Sequence, residues 1–325
     1  MKTGVFTISL DFEIHWGVSD HRTVESYYEN LKNVPAVVER SLKMFAERGI
    51  HATWATVGML FCRSKNELLS RVAADKQPAY QNPKLSNYHI IPEAGENETD
   101  DPFHYAGSLI QKIINASNQE VATHTFSHYY CLEPGQTPQQ FFFDLQAAKE
   151  ITLREAPAPV SIVFPRNQYN DEYLEQCKLN GIVCFRGNYP SWIYAAEAKS
   201  TESLWKRTAR LADTYLPISG KRYVRADMTK NNLLNIPASC FLRPYNPKLS
   251  FLEFFRIRRI KKEMETAAKR KAIYHLWWHP HNFGKNMKKN FHTLELILDH
   301  FYYLQKKYNM ISLNMKEIYD QHLSS

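Results

Sequence analysis

The chain predicts an α/β fold built on parallel strands, in a sheet or a barrel, and three observations point there. Over the first 185 residues, short apolar runs alternate with stretches of helical period, strand then helix, with no other repeat. Clusters of acidic, imidazole and amide side chains stand at the C-terminal ends of several apolar runs, where parallel barrels carry their chemistry. The length of 325 residues exceeds the roughly 250 of such a barrel and leaves on the order of 75 for insertions, which fits one elaborated domain.

Taken in order, Val5 to Leu10 reads as a buried strand that runs into Asp11-Phe12-Glu13-Ile14-His15-Trp16-Gly17. Asn33 and Pro35 open a helix with Val38, Leu42 and Phe45 as its apolar stripe, and Gly49 stops it. Ala52 to Val57 is the second strand. Residues 64–101, with Pro78, Pro83 and Pro92 among many Glu, Asn and Asp, read as a lid or rim. A helix through Leu109, Ile110, Ile113 and Ile114 leads to the strand that ends at His124. Another through Phe141, Leu145 and Ala148 leads to Val160–Phe164, and a third through Tyr173, Leu174 and Cys177 ends at Gly181, before Ile182–Phe185.

Residues 189–250 break the rhythm with Pro190, Pro217, Pro237, Pro244 and Pro247, and read as an insertion over one rim. Phe251 to Lys271 returns to helix, with Ile257, Ile260, Met264 and Ala267 on one face and Arg256, Arg258, Arg259, Lys261 and Lys262 on the rest. Ala272 to Trp277 is a late strand. A helix through Leu294, Ile297, Leu298, Phe301 and Leu304 follows, then a short strand at Met310–Leu313. Asn314 and Glu317 form a capping box for a last helix.

Composition narrows the partners. The five cysteines are odd in number and far apart, with no Cys-x-x-Cys, which argues for a reducing compartment. The first strand lacks a small-residue cleavage site and no run is long enough to span a bilayer, so a cytoplasmic location is expected. A net charge of +8 mildly favours an anionic partner. The basic helix reads first as a solvated outer face and second as a weak peripheral contact with an anionic membrane. No recognition motif accompanies the charge, so nucleic acid is not the expected partner.

The chemistry centres on Glu120-Val-Ala-Thr-His124-Thr-Phe-Ser-His128. Histidines four apart converge on one point if the chain turns helically after the strand. Asp11 and Glu13 share a strand face by the period of two, so one can ligate and the other can act as base. Two histidines and one carboxylate leave room for water, which suits catalytic Zn2+, though Co2+, Ni2+, Mn2+ and Fe2+ take the same ligands. Such an ion lowers the pKa of water to near ~7 and polarises a carbonyl. His279, in His275-Leu-Trp-Trp-His279-Pro-His281-Asn282, is the candidate acid. Each residue has a bland role when taken singly: Asp11 as a loop cap, His279 packed between Trp278 and Pro280. Their shared placement at strand ends favours metal-assisted hydrolysis of an amide or ester. Arg166 and Asn167 close another strand. Trp16 either lines the cleft or plugs the barrel mouth, and Arg243 either binds an anionic substrate group or forms a structural ion pair.

Ser9-Leu-Asp11-Phe-Glu13, Ala52-Thr-Trp-Ala-Thr-Val-Gly58, His124-Thr-Phe-Ser-His128 and Leu276-Trp-Trp-His279 resemble motifs of the polysaccharide deacetylases, the NodB-homology group or carbohydrate esterase family 4. The resemblance covers residues 3–190 and 270–315. It implies an irregular (β/α)7-type barrel, similar to a TIM barrel, and removal of an N-acetyl or O-acetyl group from a sugar. It also implies Asp11 as base, Glu13, His124 and His128 as metal ligands, and His279 as acid. The chain departs from the pattern in three places. The paired aspartates of the first motif are here a spaced Asp11-x-Glu13. The arginine that steers the base should precede a proline, whereas Arg166 follows Pro165; Arg186 is the substitute. The acidic and aromatic fourth motif has no match. Trp278, His281 and Asn282 extend the last motif as substrate contacts.

The expected activity is therefore metal-dependent deacetylation of a sugar in a cell-surface glycan or its intracellular precursor. Tyr189, Trp192, Tyr194 and Trp205 lean toward sugar stacking. The alternatives are an amidohydrolase acting on a non-sugar amide or cyclic amide, and a sugar-binding barrel that has lost catalysis. The oligomeric state is not legible in the sequence.

Overall fold

The computed structural model describes residues 2–198 and 203–324. Its strands are β1 (Val5–Phe12), β2 (Ala52–Thr56), β3 (Gln119–Thr123), β4 (Ser161–Ile162), β5 (Cys184–Phe185), β6 (Asp227–Met228), β7 (Leu234–Asn235), β8 (Cys240–Phe241), β9 (Ile273–Trp278) and β10 (Ile311–Ser312). All belong to one sheet, in the order β6-β7-β5-β4-β3-β2-β1-β9-β8, with β10 paired to β1. The pairings are parallel except for the edge pair β6–β7. β1 is buried along its whole length because β2 and β9 flank it on both sides.

The two ends of that order are one segment of chain. Leu234, Ile236 and Ala238 donate their amides to Val183, Phe185 and Gly187 at 2.8, 2.9 and 2.8 Å. Ser239 and Leu242 then donate to His275 and Trp277, both at 2.8 Å. The first half of the segment thus extends β5 and the second half extends β9, which closes the sheet into a seven-stave barrel. This corrects the reading of residues 189–250 as insertion throughout, because Leu233, Leu234, Ile236 and Leu242 are buried in the wall. Pro237 masked the strand. It falls where its missing amide would face away from β5, so no ladder bond is lost.

Alternation along the staves sorts the side chains. Phe6, Ile8, Leu10, Trp54, Tyr274, Leu276 and Trp278 face outward into the main apolar core, against helices Val34–Arg48, Glu253–Arg270 and Met287–Tyr308. Helices Pro138–Thr152 and Asp171–Leu179 cover Ile162, Phe164 and Phe185 in the same way. Inside, Val5, Ala55, Ala122, Cys184, Leu234 and Ile273 fill the lower barrel, and Met315 and Ile318 of the last helix plug it. That helix, Met315–Leu323, starts with the expected Asn314–Glu317 capping box. Gly49 ends helix Val34–Arg48 in the left-handed region at φ 59°. The described residues include two helices absent from the sequence reading, Val24–Lys32 and Leu204–Tyr215. The first is short and polar, and the second carries its large apolar residues, Leu204, Trp205 and Leu211, on an exposed face rather than against the core. The stretch 64–101 is a chain of short turns rather than a free lid, anchored by buried Leu68, Asn87 and Ile91. All five cysteines are buried and free. Among the described residues no helix is long and apolar enough to cross a membrane.

Candidate metal centre and active site

The lumen-facing register of the staves brings Asp11, Glu13, His124, Arg186, Trp277 and His279 to the C-terminal mouth of the barrel. After β1 the chain turns at once, with Ile14 at φ 47°. A Cβ on Gly17 would lie 2.0 Å from the Glu13 carboxyl carbon, so the bare glycine leaves the space that this carboxylate occupies. After β3 the chain does not turn helically as expected. Thr125 and His128 sit in the left-handed region at φ 64° and 60°, and this irregular loop aims both imidazoles at one point. Asp144 holds the loop: its carboxylate accepts from the amides of Phe126 at 2.7 Å and Ser127 at 3.1 Å, and from the Ser127 hydroxyl. Burial pushes the Asp144 carboxyl up to about 6 against the pull of those bonds.

Glu13, not Asp11, lies between the histidines. Its Oε2 is 2.9 Å from His128 Nε2 and 3.2 Å from His124 Nε2. His124 Nδ1 lies 2.7 Å from the Val163 carbonyl, which can only accept, so Nδ1 carries a proton and Nε2 is the nitrogen turned inward. His128 Nδ1 is engaged by the Tyr130 hydroxyl at 3.1 Å. Burial raises the Glu13 carboxyl, yet His279, His128 and His124 together hold it well below its ordinary range, so it is ionised. Two imidazole nitrogens and a carboxylate oxygen converging in a buried site form a donor set for a cation. Held second nitrogens are what metal-ligating histidines require. The donor set therefore fits a divalent metal. A second trio, Glu13, His279 and His281, also converges. It fits less well, because His281 Nδ1 has no partner and nothing sets that ring's tautomer.

Asp11 faces the other way. Arg186, fully buried, grips it with two bonds, Nη1 to Oδ1 at 2.6 Å and Nη2 to Oδ2 at 2.8 Å. Burial raises the Asp11 carboxyl, but Arg186 and then His124 and His279 outweigh it and leave it below its ordinary value. Arg186 is itself fixed by the Ser9 hydroxyl, the Asn167 amide oxygen and the Trp277 face, 4.0 Å from its guanidinium. Burial and the Arg186 charge lower His275 to about 3, so it stays neutral beside Ser9. Arg166 does not steer Asp11: its guanidinium is bound to Asp20 and Glu133 and lies over the Tyr130 ring. With Arg166 and Asn167 both in the left-handed region, Arg166 is thrown to the rim.

His279 Nε2 lies 3.6 Å from both Asp11 Oδ2 and Glu13 Oε1. Asn282 bonds its Nδ1 at 3.1 Å and is itself held by the Tyr27 hydroxyl at 2.9 Å. His281 is buried 3.9 Å from Glu13 Oε1. Two tryptophans expected to touch substrate do not. Trp16 is fully buried, with its indole N–H on the His104 carbonyl, and packs in the main apolar core. Trp278 faces outward and stacks on Phe283. Trp277 points inward instead, and stepping back by two from His279 would have found it. A cavity of about 280 Å³ opens there, lined by Trp277, Asn167, Phe241, Tyr194, Arg222 and Arg243. Arg243 donates Nε to Thr214 and forms no carboxylate pair among the described residues. Of the four rings expected to stack on sugar, Tyr194 lines this cavity, whereas Trp205 is 83% exposed on the outer surface.

No family model matches the chain, and no curated protein matches it in sequence. Solved structures do share its fold. A Mycobacterium smegmatis protein described as a polysaccharide deacetylase superposes with a TM-score of 0.58 at 13% identity, over 99% of this chain and 91% of that one. A Pseudomonas aeruginosa PAO1 protein described in the same way gives 0.56 at 10%, over 98% and 91%. Puue allantoinase gives 0.58 at 10%, over 98% and 90%. At these identities the likeness is one of fold, the irregular (β/α) barrel.

Proposed function

We propose that this chain is a divergent polysaccharide deacetylase, a metal-dependent hydrolase that removes an acetyl group, by preference from the nitrogen of a sugar in a glycan or glycan precursor. The observation that carries the reading is Glu13 set between His124 and His128 while Arg186 locks Asp11 alongside and His279 faces both carboxylates. Glu13, His124 and His128 would hold a divalent ion, with zinc the first choice for two imidazoles and one carboxylate. Such an ion supplies Lewis acidity toward an acyl oxygen and makes water ionisable near neutral pH.

The protein's own groups do the rest. Asp11, kept ionised by Arg186, takes the proton of the attacking water. His279, turned by Asn282, delivers a proton to the departing nitrogen, which is too basic to leave as an anion. Arg186, stacked on Trp277, orients Asp11, and Trp277 bounds the cavity on the substrate side. The cavity beside Trp277 accepts a sugar ring, with Asn167, Tyr194 and Phe241 around it.

The test is metal content of the purified chain together with acetate release from N-acetylated oligosaccharides, before and after chelation. Metal at one per chain and acetate release that stops on chelation and returns with zinc are expected. Bound metal without acetate, but with chelator-sensitive opening of a cyclic amide, would move the reading to the non-sugar amidohydrolase. Failure to take up any of the candidate metals would leave a binding barrel.

A further inference from the structure

The helix Glu253–Arg270 packs against the helix Leu204–Tyr215 on the outside of the barrel, and the pair presents an unusual surface to water. Phe251, Phe254 and Phe255 are 71, 67 and 54% exposed, and on the packed helix Leu204 and Trp205 are 74 and 83% exposed. Isolated apolar side chains on a surface are ordinary, but five large ones on adjoining elements are not. Phe254 and Phe255 open the exposed face of the helix, just after Phe251 in the 3-10 turn Pro247–Leu252, and the same face continues through exposed Arg258 and Lys262. On the neighbouring helix, exposed Arg207 stands between Leu204 and Leu211. The ion pairs of the long helix use other residues, Arg256 with Glu253, Arg259 with Glu263 and Lys269 with Glu265. Arg207, Arg258 and Lys262 form none among the described residues.

Exposed rings together with cations that form no ion pair among the described residues give a surface that combines apolar insertion with attraction to anionic lipid. Charge selects the occupant. A second copy docked about a two-fold axis would set one cationic face against another. Anionic headgroups instead take the cations while the rings enter the headgroup layer. Position agrees. The hollow lined by Leu204, Arg207, Leu211, Arg210 and Arg243 shares Arg210 and Arg243 with the cavity beside Trp277. The face is therefore continuous with the mouth of the barrel. We infer that this face seats the protein on an anionic bilayer and opens the catalytic cleft at the lipid surface.

The experiment is co-sedimentation of the full chain with phosphatidylcholine vesicles, with and without phosphatidylglycerol. Because vesicle binding needs no catalysis, its outcome is separate from that of the deacetylase reading. Binding is expected only with phosphatidylglycerol present. The double substitution Phe254→Ser, Phe255→Ser should weaken it ~tenfold or more. Arg258→Glu with Lys262→Glu should weaken it about as much through charge alone, and high salt should mimic that pair. Circular dichroism establishes that each variant is folded, and acyl release from a soluble substrate should be unchanged. A folded wild-type chain that ignores anionic vesicles, or binding indifferent to both pairs of substitutions, overturns the inference. So does a solution dimer abolished by the phenylalanine substitutions without any vesicle binding, which assigns the face to a second copy.

Discussion

Asp11 and Glu13 are two residues apart on one strand, equally buried, and differ in what faces them. Asp11 meets a guanidinium that satisfies both its oxygens; Glu13 meets two imidazole nitrogens. Under the proposed reading that contrast separates base from ligand and predicts distinct failures. Glu13→Gln or His124→Ala should lose the metal, measured by elemental analysis after dialysis. Asp11→Asn should keep it and lower kcat by roughly 10²–10⁴-fold. Retained metal in Glu13→Gln, with loss in Asp11→Asn, would reverse the roles. His279→Gln should also keep the metal and should harm amide hydrolysis far more than hydrolysis of an activated aryl ester, whose leaving group needs no proton. Equal losses on both substrates would remove His279 as the acid. Arg186→Met leaves a buried carboxylate without its partner, so unfolding in urea should show a loss of about 3–5 kcal/mol.

At the scale of the element, the loop after β3 owes its shape to Asp144 rather than to its own sequence. The His-x-x-x-His spacing suggested a helical turn. The chain instead takes two left-handed residues, which is affordable because one carboxylate collects two amides and a hydroxyl. Asp144 is raised from the ordinary aspartate value of 3.8 to about 6. The folded state then holds the proton more tightly than the unfolded state, so this contribution to stability is full below the unfolded value and fades as pH rises through about 6. Asp144→Asn deletes that titration and misplaces one acceptor. The variant should be less stable by about 1–3 kcal/mol, with the gap to wild type narrowing between pH 4 and pH 7. A gap that widens with pH in urea titrations would show the carboxylate form to be the favoured one.

At the scale of the molecule, closure of the barrel rests on the ten residues from Leu233 to Leu242, which pass from β5 to β9. Their amides make the same kind of ladder bonds as β1 despite the brevity of β7 and β8. Hydrogen exchange should therefore protect Leu234, Ile236, Ala238 and Leu242 about as strongly as the amides of β1. Exchange at the rate of the surface turns would mean that the barrel stands open at this seam.

The sequence by itself determined the rhythm of strands and helices, the caps at Gly49 and Asn314, and which acidic and imidazole residues stand at the strand ends. These are local signals, written in period and in turn residues, and they survive without knowledge of neighbours. Tertiary structure alone decided which arginine holds Asp11, which tryptophan faces the lumen, and that a proline-interrupted run closes the barrel. Arg166 and Arg186 both end strands, but two left-handed residues send one to the rim while the inward register of β5 delivers the other. Such choices turn on the direction of a side chain and on partners more than a hundred residues away, and no window of sequence contains both.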